Sequence, residues 1–141
     1  MIEASEEDDQ CKATDFIVLK MEAVRIACRI RRHQYWIQPS YRNQFTMRSK
    51  RPTGTETELA KVLSGWGHYF FYGFADQSGS ALQGYTIMDL NPFRLWFHRA
   101  TIKSQGQCPG CEMHNHDASS TFRVFNWSDI PQSAIVAQKL S

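Results

Sequence analysis

The sequence predicts a single α+β domain in which a mixed, mostly antiparallel β-sheet is flanked by helices. Three observations predict it. Apolar and polar residues alternate at 24–32, 44–49 and 120–126, the pattern of half-buried strands. Between these stretches lie two helix-opening signals, at Thr55 and at Asn91-Pro92. The 141 residues suit one hydrophobic core, and no repeat or linker divides them, so residues 1–141 read as one domain.

Residues 2–10 read as a short helix with acids near its N-terminal end, where the helix dipole favours them. Strands follow near 15–20 and 24–32, joined by a turn at Lys20 to Ala23. In the second strand Val24, Ile26, Cys28 and Ile30 alternate with Arg25, Ala27, Arg29 and Arg31. The apolar set is expected to face a core, and the arginines to share the other face with Asp15. Arg32 to Asn43, with Tyr35, Trp36, Pro39 and Tyr41, reads as a loop or irregular extension. Gln44 to Ser49 reads as a third strand, and Pro52-Thr53-Gly54 as a break.

Thr55 is expected to cap a helix running to about Ser64, with Glu58 completing a capping box. Leu59, Val62 and Leu63 form its apolar stripe. His68 to Phe74 is nearly continuous aromatic sequence and reads as a buried strand. A turn at Asp76 to Gly79 then leads to its hairpin partner, Leu82 to Leu90. Asn91 and Pro92 open a helix to about Ala100, with Phe93, Trp96 and Phe97 facing inward. A polar Cys/His loop covers 103–119, Ser120 to Asn126 is the last strand, and a short turn around 130–135 closes the pattern.

Apolar residues make up 42% and charged residues 21% of the chain, ordinary proportions for a globular protein. No apolar run approaches the roughly 18 to 20 residues of a membrane span, so no membrane partner is expected. The start MIEASEEDDQ is acidic and polar, unlike a signal peptide. A cytoplasmic, reducing location is the resulting expectation, with the four cysteines as thiols or metal ligands.

A net charge of +2 conceals a marked asymmetry. Residues 1–11 hold Glu3, Glu6, Glu7, Asp8 and Asp9 without a basic residue. Residues 20–51 hold Lys20, Arg25, Arg29, Arg31, Arg32, Arg42, Arg48, Lys50 and Arg51 against Glu22 alone. Such a segment attracts phosphates. Arg25, Arg29, Arg31, Arg42, Arg48, Lys50 and Arg51 are therefore candidate nucleic-acid contacts, with Trp36, Tyr35 and Tyr41 as stacking surfaces. The alternative is that Arg25, Arg29 and Arg31 pair with Asp15, Glu6, Glu7 and Asp9 and hold the first helix on the sheet.

The stretch CPGCEMHNH offers Cys108, Cys111, His114 and His116 within one loop. Thiolates and imidazoles in that number suit tetrahedral Zn²⁺, in a structural role. An exposed, reduced loop and a redox C-x-x-C are the other readings. His68 and His98 read as packing residues or polar tips at the rim.

The acidic helix, Asp15 opening a strand, the charged return strand and the helix at 55–64 resemble the PD-(D/E)xK, or restriction-endonuclease-like, phosphodiesterase fold. The chain is also similar to small phage and prophage proteins of unassigned role. The segments TDFIVL…VRIACRIRR, FTMRSKRPTGTETELAKVLSGWGHYFFYGFAD, YTIMDLNPFRLWF and NHDASSTFRVFNW carry that likeness. The first resemblance implies a site built from Asp15, Glu6 or Glu7 and a D/E-x-K on the return strand, gathering Mg²⁺ for phosphodiester hydrolysis. The D/E-x-K position falls on Arg29-Ile30-Arg31, so an acid is replaced by a cation that repels Mg²⁺. The resulting expectation is a degenerate nuclease-like protein that acts by binding nucleic acid or a host protein, in DNA handling or inhibition of a host system. One alternative is an active Mg²⁺-dependent nuclease drawing a further carboxylate from Glu22 or Glu58. The second is a zinc-stapled protein-interaction module.

Overall fold

The computed structural model describes residues 23–51, 53–117 and 119–141. The helix expected at 2–10 and the strand expected at 15–20 lie outside the described residues. So do Glu6, Glu7, Asp15 and Glu22, and with them the carboxylates on which the nuclease reading depends.

The fold is mixed α+β, with two mostly antiparallel sheets, few helices and one small domain. The first sheet contains β1 (Ile26–Arg31), β3 (Tyr69–Ala75), β4 (Leu82–Asp89) and β7 (Ile135–Lys139), in the order β1-β3-β4-β7. The second contains β2 (Gln44–Lys50), β5 (Cys111–His114) and β6 (Thr121–Asn126), in the order β2-β6-β5. Among the described residues four helices connect them: α1 (His33–Trp36), α2 (Pro39–Arg42), α3 (Glu58–Leu63) and α4 (Leu90–Lys103).

The sheets share one aromatic core. Phe45 of β2 stacks on Phe125 at 5.0 Å between centroids and on Trp127 at 4.1 Å. It also meets Phe70 and Tyr72 of β3 and Phe93 of α4 within 6.2 Å. Aromatic pairs at these tilts and spacings add to the stabilisation that burial already gives.

Local signals located several elements closely. β2 and β6 occupy alternating segments, β3 occupies the aromatic run with Phe70, Tyr72 and Phe74 buried, and β4 is its expected hairpin partner. Tyr69 and Phe71 are only half-buried, because the other face of β3 is not covered by the second sheet. The helix expected at 55–64 begins later. Its cap is Thr57, whose hydroxyl accepts the Ala60 N–H at 3.4 Å, while Thr55 instead bonds Thr53. Glu58 thus opens α3 and is free of a capping-box role. α4 starts one residue before Asn91, capped by Asp89, and continues to Lys103.

The strand at 24–32 differs most from expectation. Among the described residues its partner is β3, and the pairing is parallel. Arg29 lies beside Tyr72 and Arg31 beside Phe74, so the arginines share the face that carries the core. Ile26 and Ile30 are 53% and 48% exposed, Cys28 is exposed, and Ala27 is buried. The assignment of Val24, Ile26, Cys28 and Ile30 to the core is therefore reversed. Alternation shows that two faces differ, but the neighbouring strand decides which one is inside.

Three further features depart from the sequence expectation. Residues 33–42 form two single-turn helices, where an irregular segment was expected. The loop at 103–119 contains β5, which pairs with β6. The C-terminal turn becomes two 3₁₀ turns followed by β7, which pairs with β4. Among the described residues no helix is long and apolar enough to cross a membrane.

Candidate functional site

Within the described sheets, β1 and β2 are edge strands. The chain leaves β1, makes α1 and α2, and returns as β2. Arginine side chains collect along the seam between these edges.

Arg29 is the inner member of the group. Its Nη2 donates to Glu58 Oε1 at 2.8 Å, and its Nη1 reaches Thr46 Oγ1 at 3.5 Å. Glu58 Oε1 also accepts the backbone N–H of Arg48 at 3.3 Å. One carboxylate at the start of α3 thus ties the first sheet to the second. The pair is partly sheltered, with side-chain exposures of 31% for Arg29 and 23% for Glu58.

Arg31, two residues further on, enters the same face. Its Nη1 donates to the Tyr72 hydroxyl at 2.7 Å, and its guanidinium lies 3.9 Å from the Tyr35 ring centre. Burial opposes the Arg31 charge, but the phenol oxygens of Tyr72 and Tyr35 outweigh it and raise its pKa. Hydrogen bonding from Arg31, then from Gln34, holds the Tyr35 phenol below its ordinary pKa. Tyr35 in turn meets Tyr41 edge to face at 5.5 Å, and Arg42 lies over the Trp36 ring at 5.0 Å.

Trp36 has a different role from the stacking surface expected of it. It is 8% exposed, packs on Phe74 at 5.6 Å and covers Gly84 of β4. A base cannot reach a ring so enclosed, and Trp36 serves as a floor beneath Arg42. Tyr41, 46% exposed, is the accessible aromatic of the group.

The remaining expected contacts are dispersed. Arg25 precedes β1, about 20 Å along the strand direction from Arg31 at roughly 3.3 Å per residue. Its backbone N–H donates to His68 Nδ1 at 3.0 Å, which gives His68 a structural partner. Lys50 lies on the second sheet, 3.9 Å from Glu112, and Arg51 is exposed beyond it. The structure therefore brings together Arg29, Arg31, Arg42 and the backbone of Arg48, but not Arg25, Lys50 or Arg51.

In the Cys/His loop, Cys108 and Cys111 are exposed free thiols. His114 Nδ1 lies 3.2 Å from Thr121 Oγ1, and its Nε2 lies 3.9 Å from Glu112. His116 is exposed in the turn that follows β5. Among the described residues no three His, Cys, Asp or Glu side chains converge on a cation position. Arg123 organises the loop instead. It donates to the carbonyls of Pro109 at 2.6 Å, Cys108 at 3.0 Å and Gly110 at 3.5 Å.

Arg123 was not singled out by sequence reasoning, although it occupies the same alternating face as buried Phe125. A charge on a core-facing position was the available signal. Arg94 was also missed. From α4 it donates to the carbonyls of Val62, Trp66 and Gly67 and to Asn91 Oδ1, at 2.8–3.3 Å. It thereby adds a donor to the Val62 carbonyl, which also takes the Gly65 N–H, and to the Trp66 and Gly67 carbonyls in the segment beyond α3. Comparison with protein-family models, curated proteins and solved structures finds no match to the chain.

Proposed function

We propose that the protein binds nucleic acid along the seam between β1 and β2, acting by binding rather than by cleavage. One observation carries this reading: two guanidinium groups, Arg31 and Arg42, lie over aromatic rings in a stretch that contains no acid. Residues 23–51 hold Arg25, Arg29, Arg31, Arg32, Arg42, Arg48, Lys50 and Arg51 and neither Asp nor Glu. Beyond the Arg31 Nη1 bond to Tyr72, the N–H groups of these guanidiniums are the kind of donors that meet a phosphate in a fork.

The binding-only reading draws support from Arg29. On the restriction-endonuclease-like resemblance it stands at an acid position. Its guanidinium lies 2.8 Å from Glu58, so this carboxylate already neutralises an internal cation. A role in DNA handling or in inhibition of a host system belongs to the same proposal and rests on the resemblance alone.

Salt-dependent retardation of labelled DNA and RNA tests the reading. The wild type is expected to retard nucleic acid, with log affinity falling against log salt at a slope of roughly −3 for three or four phosphate contacts. Arg42→Glu is expected to weaken retardation at moderate salt about 10-fold or more without lowering the melting temperature appreciably. Binding that ignores both salt and this substitution would reject the proposal. Divalent-metal-dependent cleavage that is lost in Asp15→Ala would replace it with the nuclease alternative.

A further inference from the structure

Resting on the nucleic-acid reading above, we propose that the seam takes single-stranded nucleic acid, with a backbone phosphate at Arg31 and Arg42 and an unpaired base against Tyr41.

The two arginines are held in place before any ligand arrives. Arg31 is fixed from two directions, by the Tyr72 hydroxyl at 2.7 Å and by the Tyr35 ring at 3.9 Å. Arg42 rests over Trp36, which is itself locked against Phe74 and Gly84. Side chains ordered in this way lose less freedom on binding. The phenol of Tyr35 is part of the same device, because its edge-to-face contact braces Tyr41 at an interplanar angle of 85°. Tyr41 is thus positioned yet 46% exposed, the condition for stacking on an incoming base.

That geometry distinguishes strands from duplexes. In a duplex each base is stacked within the helix, so Tyr41 has no base to meet; in a single strand it does. The elements bearing the site are also ill-suited to reading a groove. α1 and α2 have four residues each, about 6 Å of helix apiece. Groove readers insert a longer helix or a two-stranded ribbon into the major groove. A duplex would meet the seam through charge alone.

The test is fluorescence-anisotropy titration at one salt concentration. The ligands are labelled oligothymidylate, oligouridylate and a mixed-sequence duplex of equal length. At least one single strand is expected to bind about 10-fold or more tightly than the duplex. Tyr41→Ala is expected to weaken single-strand binding about 10-fold while leaving the duplex unaffected, in line with the stacking contribution of one base. Tyr41→Phe, which keeps the ring, is expected to bind like wild type. This second variant separates stacking from any loss of folding. Equal affinity for strands and duplex, with Tyr41→Ala altering neither selectively, would overturn the inference and leave the general nucleic-acid reading standing. Absence of binding to all three ligands at low salt would overturn both.

Discussion

Arg29 on β1 donates to the carboxylate of Glu58 at 2.8 Å, and the same oxygen accepts the backbone N–H of Arg48 on β2. This contact joins the edges of the two sheets through the first residue of α3. Glu58→Ala leaves a half-buried guanidinium and a strand N–H without their shared acceptor. Urea denaturation is expected to show a loss of about 1–3 kcal/mol. A double-mutant cycle with Arg29→Ala should give a coupling of at least about 0.5 kcal/mol. Additive effects would mean that the pair does not link the sheets.

Gly84 is where the close approach of Trp36 can be checked. A Cβ at this position would collide with the indole ring and come 2.6 Å from the Lys139 carbonyl oxygen, a strand neighbour that cannot easily yield. Gly84→Ala is therefore expected to cost about 2–3 kcal/mol and to alter near-UV circular dichroism, since it displaces a packed tryptophan. A neutral effect on both would place Trp36 elsewhere.

Tyr35 provides a pH-dependent signal. Its phenol pKa is lowered, first by hydrogen bonding from Arg31. A group whose folded pKa is depressed adds stability only as it ionises. Its contribution is absent below the lowered folded value, grows as pH rises through it, and is complete above the unfolded value of about 10. Spectrophotometric titration of Tyr35→Phe against wild type should identify the early-titrating phenolate. Arg31→Met should return it towards the ordinary value. A phenolate that forms at the same pH in the wild type and in the Arg31→Met variant would disprove the coupling.

Arg94 makes a prediction about α3. Its fork holds the carbonyls of Val62, Trp66 and Gly67. Arg94→Ala is expected to cost about 2 kcal/mol, and Arg94→Lys to recover only part of it, because an ammonium cannot reproduce a fork of fixed geometry. Hydrogen exchange should quicken at 62–67 before it does elsewhere. Uniform exchange across the domain would assign Arg94 a lesser role.

Arg123 makes an analogous one about the thiols. Three successive carbonyls, from Cys108 to Gly110, accept from its guanidinium. Arg123→Ala should release that turn and raise the rate of thiol alkylation at Cys108 and Cys111 several-fold. Alkylation at Cys28, on the other sheet, should stay unchanged. Equal acceleration at all three would signal general unfolding instead.

The sequence by itself determined the elements whose information is local. Alternation placed β1, β2 and β6, the aromatic run placed β3 with β4 as its hairpin partner, and the Asn91-Pro92 signal placed α4 to within two residues at its start. It also showed where positive charge concentrates, since a run of arginines without acids is visible in the string. The tertiary structure alone decided how those charges are used. Parallel pairing with β3 turned Arg29 and Arg31 inward and left Ile26 and Ile30 outside. Folding of residues 33–42 buried Trp36, exposed Tyr41 and laid Arg42 over a ring. Glu58, separated from Arg29 by 29 positions, became its partner because α3 begins beside β2. Periodicity is a property of neighbours along the chain, whereas the choice of inner face, and of partner for each charge, is set by strands that meet only after folding.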